Sequence, residues 1–135
     1  MYILTVTPDG MLSAKEAEPD LLTRLQEIVG GFIEIVHPKN LPRPFCMIVD
    51  DEGRLKQKPV NEIASILYGY PTACKHPIVG DVAFVKVVEL PDGERDIGGL
   101  SEQEINMIIG LIAKERQSWQ TEFLKPIREM IPCRA

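Results

Sequence analysis

The chain has no stretch approaching the roughly 20 apolar residues that a bilayer-spanning helix needs. Its first residues, Met1-Tyr2-Ile3-Leu4-Thr5-Val6-Thr7, carry neither a positively charged start nor a small-residue cleavage site, so they read as a strand rather than a secretory leader. The three cysteines, Cys46, Cys74 and Cys133, are odd in number and widely spaced, which favours reduced thiols and a cytoplasmic setting. There is no C-x-x-C, and His37 and His76 have no second ligand at helical spacing, which argues against a structural metal site. The glycine patterns of phosphate-binding loops, dinucleotide folds and nucleophile elbows are absent too. No catalytic residue, metal or cofactor is therefore expected.

What is there is an average soluble composition in 135 residues, 44% hydrophobic and 26% charged, enough for one domain with its own core. The net charge of −5 argues against non-specific coating of nucleic acid, which needs a basic surface. That charge is unevenly spread. Residues 1–36 are net −4, residues 37–77 net +2 and residues 78–135 net −3. The middle third is the one basic section.

Alternation predicts a strand over 2–7, and apolar segments bounded by turns and loops read as strands over 31–36, 45–50 and 80–90, with a further one over 11–17. Residues 19–29 read as a helix with Leu21, Leu22, Leu25, Ile28 and Val29 on one stripe and Gly30 as its left-handed cap. Asp51-Glu52-Gly53 reads as a tight turn from which Arg54-Leu55-Lys56 returns as a hairpin. Residues 63–68 form a short helix, and Asn61 stands where its N-cap belongs. Leu100-Ser101-Glu102-Gln103-Glu104-Ile105 is a capping box with a hydrophobic staple, opening a helix that runs to about residue 119. Its apolar face is Ile105, Ile108, Ile109 and Ile112. The expected architecture is α+β: one small domain, a mostly antiparallel sheet of four to five strands with helices packed on one face. The core should occupy 1–112, with 113–135 a C-terminal helical extension.

Several segments in fixed order carry a resemblance: Leu25 to Glu34, Val49 to Lys56, Pro59-Val60-Asn61, Ile78 to Val82 and Leu100 to Ile105. Together they resemble a small domain family of unknown function found in phages, plasmids and other bacterial mobile elements. The resemblance covers about residues 2–110. It implies a compact α+β domain and a mobile-element setting, in which counter-defence or host takeover in the host bacterial cytoplasm is an expected role. It supplies no catalytic residues.

Candidate binding residues come from the basic middle third: Arg43, Arg54, Lys56, Lys58, Asn61, Tyr68, Tyr70, Lys75 and His76. Arginine and lysine suit phosphate, tyrosine offers a stacking face and asparagine reads base edges. The expected ligand is a small phosphorylated, nucleotide-like anion, a cyclic nucleotide among the options, sequestered without catalysis. The bland reading treats these charges as solvated loop residues and Asn61 as a cap. Asp50-Asp51-Glu52 is better explained as a hairpin tip than as a metal loop. Glu34 alternates with apolar neighbours, facing either solvent or an interface. Cys74 and His76 lie too close in an irregular loop to read as a nucleophile and base. Trp119 and Phe123 are large anchors that either cap the sheet or build a homodimer or higher oligomer. The alternative function is a protein-interaction module that inhibits or adapts a host protein through its acidic surface.

Overall fold

The computed structural model describes residues 1–70 and 76–118. Their order is β1 (Tyr2–Val6), β2 (Leu12–Glu16), α1 (Leu21–Val29), β3 (Ile33–Val36), β4 (Phe45–Asp50), α2 (Glu62–Tyr68), β5 (Val82–Glu89), β6 (Arg95–Gly98) and α3 (Glu102–Ser118). Cys74, Lys75, Trp119, Phe123 and Cys133 lie outside the described residues.

The architecture is α+β, as expected, with a six-stranded antiparallel sheet in the order β2-β1-β5-β4-β3. The added strand is β6. It pairs with the second half of β5, Lys86 opposite Gly98 and Glu89 opposite Arg95, while β1 pairs with the first half of β5. Tyr2 and Leu100 exchange both backbone hydrogen bonds at 2.7–2.8 Å, so β1 and the end of β6 lie in line along the same side of β5. The return strand expected over 54–56 does not form. Residues 51–57 stay in successive turns, closed by Lys56 N–H to the Glu52 carbonyl and Gln57 N–H to the Arg54 carbonyl. The edge that such a strand would have taken on β4 is already filled by β3 and β5.

The sheet is covered on both faces, which corrects the expectation that helices pack on one. The reason is visible in β4 and β5, where every residue from Phe45 to Val49 and from Val82 to Val85 is buried. Successive residues point to opposite faces. Phe45, Met47, Val49, Val82 and Phe84 join Ile63, Leu67, Ile105, Ile108 and Ile112 in the larger core beneath α2 and α3. Cys46, Ile48, Ala83 and Val85 meet Leu25 and Val29 of α1 on the other side. The Cys46 thiol is buried there, and desolvation pushes it up to about 11, so it behaves as a small apolar group.

Local signals set the helix ends. Asp20 caps α1 by accepting from Thr23 N–H, and Gly30 closes it in the left-handed conformation at φ 80°. The Ser101–Glu104 capping box forms: Glu104 N–H donates to Ser101 Oγ at 3.1 Å and Ser101 N–H donates to Glu104 Oε1 at 2.8 Å. Leu100 and Ile105, which flank it, are both buried in the larger core. Lys86 of β5 then grips the same carboxylate at 2.9 Å and ties the sheet to the start of α3. Of the predicted apolar face of α3, Ile109 turns out to be 39% exposed. α3 also runs without a break through residues 112 and 113, where the extension was expected to begin.

Candidate functional site

The chain leaves β4 at Asp50, and the turn over residues 51–58 sorts the charges of the middle third. The Asp50 side chain is 1% exposed. Its Oδ2 receives Lys56 Nζ at 2.8 Å and Lys58 Nζ at 2.7 Å, and its Oδ1 accepts the Glu52 N–H at 2.9 Å. Burial alone would raise this carboxyl. The hydrogen bonds from Lys56 and Lys58 and from the Glu52 N–H outweigh it and hold the group at about 2, so Asp50 is ionised at all ordinary pH. Both ammonium groups also reach the end of α1: Lys56 Nζ donates to the Gly30 carbonyl at 3.1 Å and Lys58 Nζ to the Val29 carbonyl. Carbonyls at a helix C-terminus are unsatisfied and carry partial negative charge, which lysine complements. The contact requires glycine at 31, where a Cβ would stand 2.7 Å from Lys56 Nζ and 2.9 Å from Asp50 Oδ1. These two lysines, read from sequence as ligand contacts, are engaged in holding the 51–58 turn against α1.

Asn61 is likewise spent inside the protein. It is 0% exposed. Its Oδ1 caps α2 by accepting from Ala64 N–H at 3.1 Å, and its Nδ2 donates to the Val6 and Gly80 carbonyls, both at 2.9 Å. Ser65, one turn on, donates to the Asn61 carbonyl at 2.7 Å and accepts from Ile78 N–H at 2.9 Å. This buried polar net fastens α2 to β1 and to the 78–80 segment. Tyr70 is buried in the larger core. Arg43 is exposed on the loop before β4 and does not line the cleft that opens beside β3.

That cleft has a volume of about 730 Å³. Val36 and Val49 line it from β3 and β4, Arg54 and Leu55 from the turn after β4, and Tyr68 and Ile78 from the far side. Of the predicted binding residues it gathers Arg54, Tyr68 and His76. It also gathers Glu34, Asp51 and Glu52, all exposed. Among the described residues three solvated carboxylates therefore face one guanidinium, and this lining is acidic although the sequence segment around it is basic. The difference has a simple origin. Two of the lysines that make the segment basic, Lys56 and Lys58, point to Asp50 and α1, while Glu34 arrives from β3, a strand outside that segment. A cleft of this charge favours cations and disfavours phosphate by plain Coulomb attraction and repulsion.

Among the described residues no group of three or more His, Cys, Asp and Glu side chains is placed to hold a metal ion. No described helix is long and apolar enough to cross a membrane. A second, shallower hollow of about 400 Å³ lies over α1 and the start of β3, where Thr23, Gln26, Phe32 and Lys56 meet.

Fold and site together define a small α+β domain built on a double-faced antiparallel sheet, with an acidic cleft beside one sheet edge. Residues 1–113 match the model of the family described as domain of unknown function DUF3846, and the chain belongs to that family. No curated protein and no solved structure matches the chain. The family match ends within α3, close to the expected core boundary.

Proposed function

We propose that the domain is a non-enzymatic interaction module that docks a basic partner at the acidic cleft. The observation that carries this reading is the charge inventory of the cleft: among the described residues, Glu34, Asp51 and Glu52 are exposed there with Arg54. Acidic surfaces of this kind steer basic partners and set specificity and association rate more than raw affinity. The apolar floor of Val36, Val49 and Ile78 supplies area to bury. A role in inhibiting or adapting a host protein, as the resemblance to mobile-element proteins suggested, fits a module of this type.

The test uses defined probes. Labelled lysine- and arginine-rich peptides should bind and weaken with added salt, whereas acidic peptides of equal length should not. Charge reversal by Glu34→Lys with Glu52→Lys should abolish the binding. A failure of every basic peptide to bind would overturn the reading.

One observation favours a second reading, sequestration of a small phosphorylated ligand. Arg54, Tyr68 and His76 do share one concavity, and they pair a phosphate-binding group with an aromatic face. Thermal-shift measurements with cyclic and linear nucleotides separate the two. A ligand that binds the folded form raises Tm by mass action. A nucleotide-dependent rise that Arg54→Ala removes would establish this reading over the first.

A further inference from the structure

The acidic cleft opens beside β3, and β3 is an edge strand of unusual character. The sheet order ends there, with β4 on its inner side and no described strand on its outer side. The register identifies which backbone groups face outward. Asp51 N–H donates to the Phe32 carbonyl, and the β3–β4 pairs run Ile33 with Asp50 through Val36 with Met47. In an antiparallel ladder hydrogen-bonded pairs alternate with non-bonded ones. Pairs 34–49 and 36–47 are therefore the bonded ones, and the N–H and C=O groups of Ile33 and Ile35 point away from β4. The β4–β5 side agrees: Val87 N–H donates to the Pro44 carbonyl, which leaves Met47 and Val49 free to bond β3.

Edge strands usually protect themselves with charge, bulges or proline. The opposite edge does so: β2 is Leu12-Ser13-Ala14-Lys15-Glu16, polar and mostly exposed. β3 instead reads Ile33-Glu34-Ile35-Val36, with Ile35 44% exposed and the adjoining Phe32 72% exposed. Alternation sends Glu34 and Val36 to the cleft face and Ile33 and Ile35 to the α1 face.

We propose that β3 is a strand-addition site, and that its occupant is an extended segment of a partner protein in which basic residues alternate with apolar ones. The added strand's backbone would pair with the outward groups of Ile33 and Ile35. Its basic side chains, spaced two apart, would lie over the cleft face beside Glu34 and Glu52. Its apolar side chains would cover Ile35 on the other face. Main-chain pairing supplies affinity and the alternate side chains supply selection, as in other strand-addition sites. This inference rests on the acidic-cleft reading and adds to it a geometry and a sequence pattern.

The experiment compares peptides of one composition, Lys/Arg alternating with Val/Ile in one and arranged in blocks in the other, by fluorescence anisotropy against the full chain. The alternating peptide should bind about tenfold or more tighter, which corresponds to roughly one or two backbone hydrogen bonds. N-methylation of alternate residues of that peptide should abolish binding in one phase and spare it in the other, because only one set of N–H groups faces the protein. On the protein side, Ile35→Pro removes an outward N–H that makes no bond to β4, a place where an edge strand tolerates proline. Its Tm should stay within about 3 °C of the parent while the alternating peptide is lost. Equal binding of both peptides, or of both N-methyl phases, would overturn strand addition while leaving the acidic-cleft reading intact. Loss of all basic-peptide binding by the unmodified protein would overturn both. A chain that sediments as a dimer, and returns to monomer with Ile35→Pro, would make the occupant a second copy and overturn the peptide assignment.

Discussion

Asp50 is buried with two lysines closed on its carboxylate, whereas Asp51 and Glu52, its immediate successors, stand exposed at the cleft. Three consecutive acids thus serve two regions that differ in every physical respect. In the first, charge is paired, desolvated and linked to helix carbonyls, so its removal is felt in stability. In the second, charge is solvated and unengaged by the fold, so its removal is felt in what the surface attracts. The sign of a segment therefore says little about the sign of the site it borders. The lysines of residues 56–58 turn inward, and the acids of residues 51–52 turn outward.

Asp50→Ala should break this comparison most visibly. It leaves Lys56 and Lys58 crowded at the end of α1 without their counter-ion, and a loss of about 3 kcal/mol in urea unfolding is expected. Asn61→Ala should come next, at about 2 kcal/mol, since it replaces no cleft-lining residue but strips a cap and removes the buried amide that donates to the Val6 and Gly80 carbonyls. The pH dependence sharpens the point. The Asp50 carboxyl is held at about 2 in the folded chain, below its ordinary value of 3.8. Its contribution is therefore complete above about pH 4 and is lost as pH falls toward 2, because the unfolded chain takes up the proton first. Glu104 is also lowered: burial opposes its ionisation, but the Ser101 N–H and Lys86 overcome it, so it acts in the same direction. Urea midpoints measured at pH 7, 4 and 2.5 should fall chiefly over the last interval. In Asp50→Ala that fall should be smaller. Ser101→Ala should cost about 1 kcal/mol by the loss of one cap. Asp51→Lys with Glu52→Lys should change stability least, within about 0.5 kcal/mol, while removing any binding of basic peptides.

The parts of this molecule that were legible in the sequence are those set by neighbours a few residues apart. The Ser101–Glu104 box, the Asn61 cap, the glycine closing α1 and the alternation of β1 all depend on spacing within one turn or one strand. β6 escaped because Arg95-Asp96-Ile97-Gly98 has no apolar alternation; its place comes from β5 alongside it. The turn of residues 51–57 read as a hairpin because nothing local shows that both sides of β4 are already taken. The double-faced sheet was available in principle, in the continuous apolar runs Phe45–Val49 and Val82–Val85, which a sheet wetted on one face does not carry. The cleft was not legible from one segment. Its residues come from β3, β4, the turn after it, α2 and residues 76–79, and the partners that occupy Lys56 and Lys58 lie as far as 29 residues away. Glu34 was recognised as an ambiguous carboxylate in a strand, and only the tertiary arrangement gives it company.

The middle of the sheet is made late. β5 is the strand that joins everything, pairing with β1, β4 and β6, yet it begins at residue 82. As the chain emerges from the ribosome in order, the β1–β2 and β3–β4 hairpins are complete well before their common neighbour exists. Both hairpins then wait with an unpaired inner margin, Leu4 and Val6 on one and Cys46 and Ile48 on the other, and neither is long enough to be stable by itself. Closure across about 80 residues is costly in chain entropy and slow relative to local pairing. Synthesis of this protein therefore includes an interval in which two apolar half-sheets are open to wrong partners, and its yield at high expression should depend on how quickly residues 82–85 are delivered.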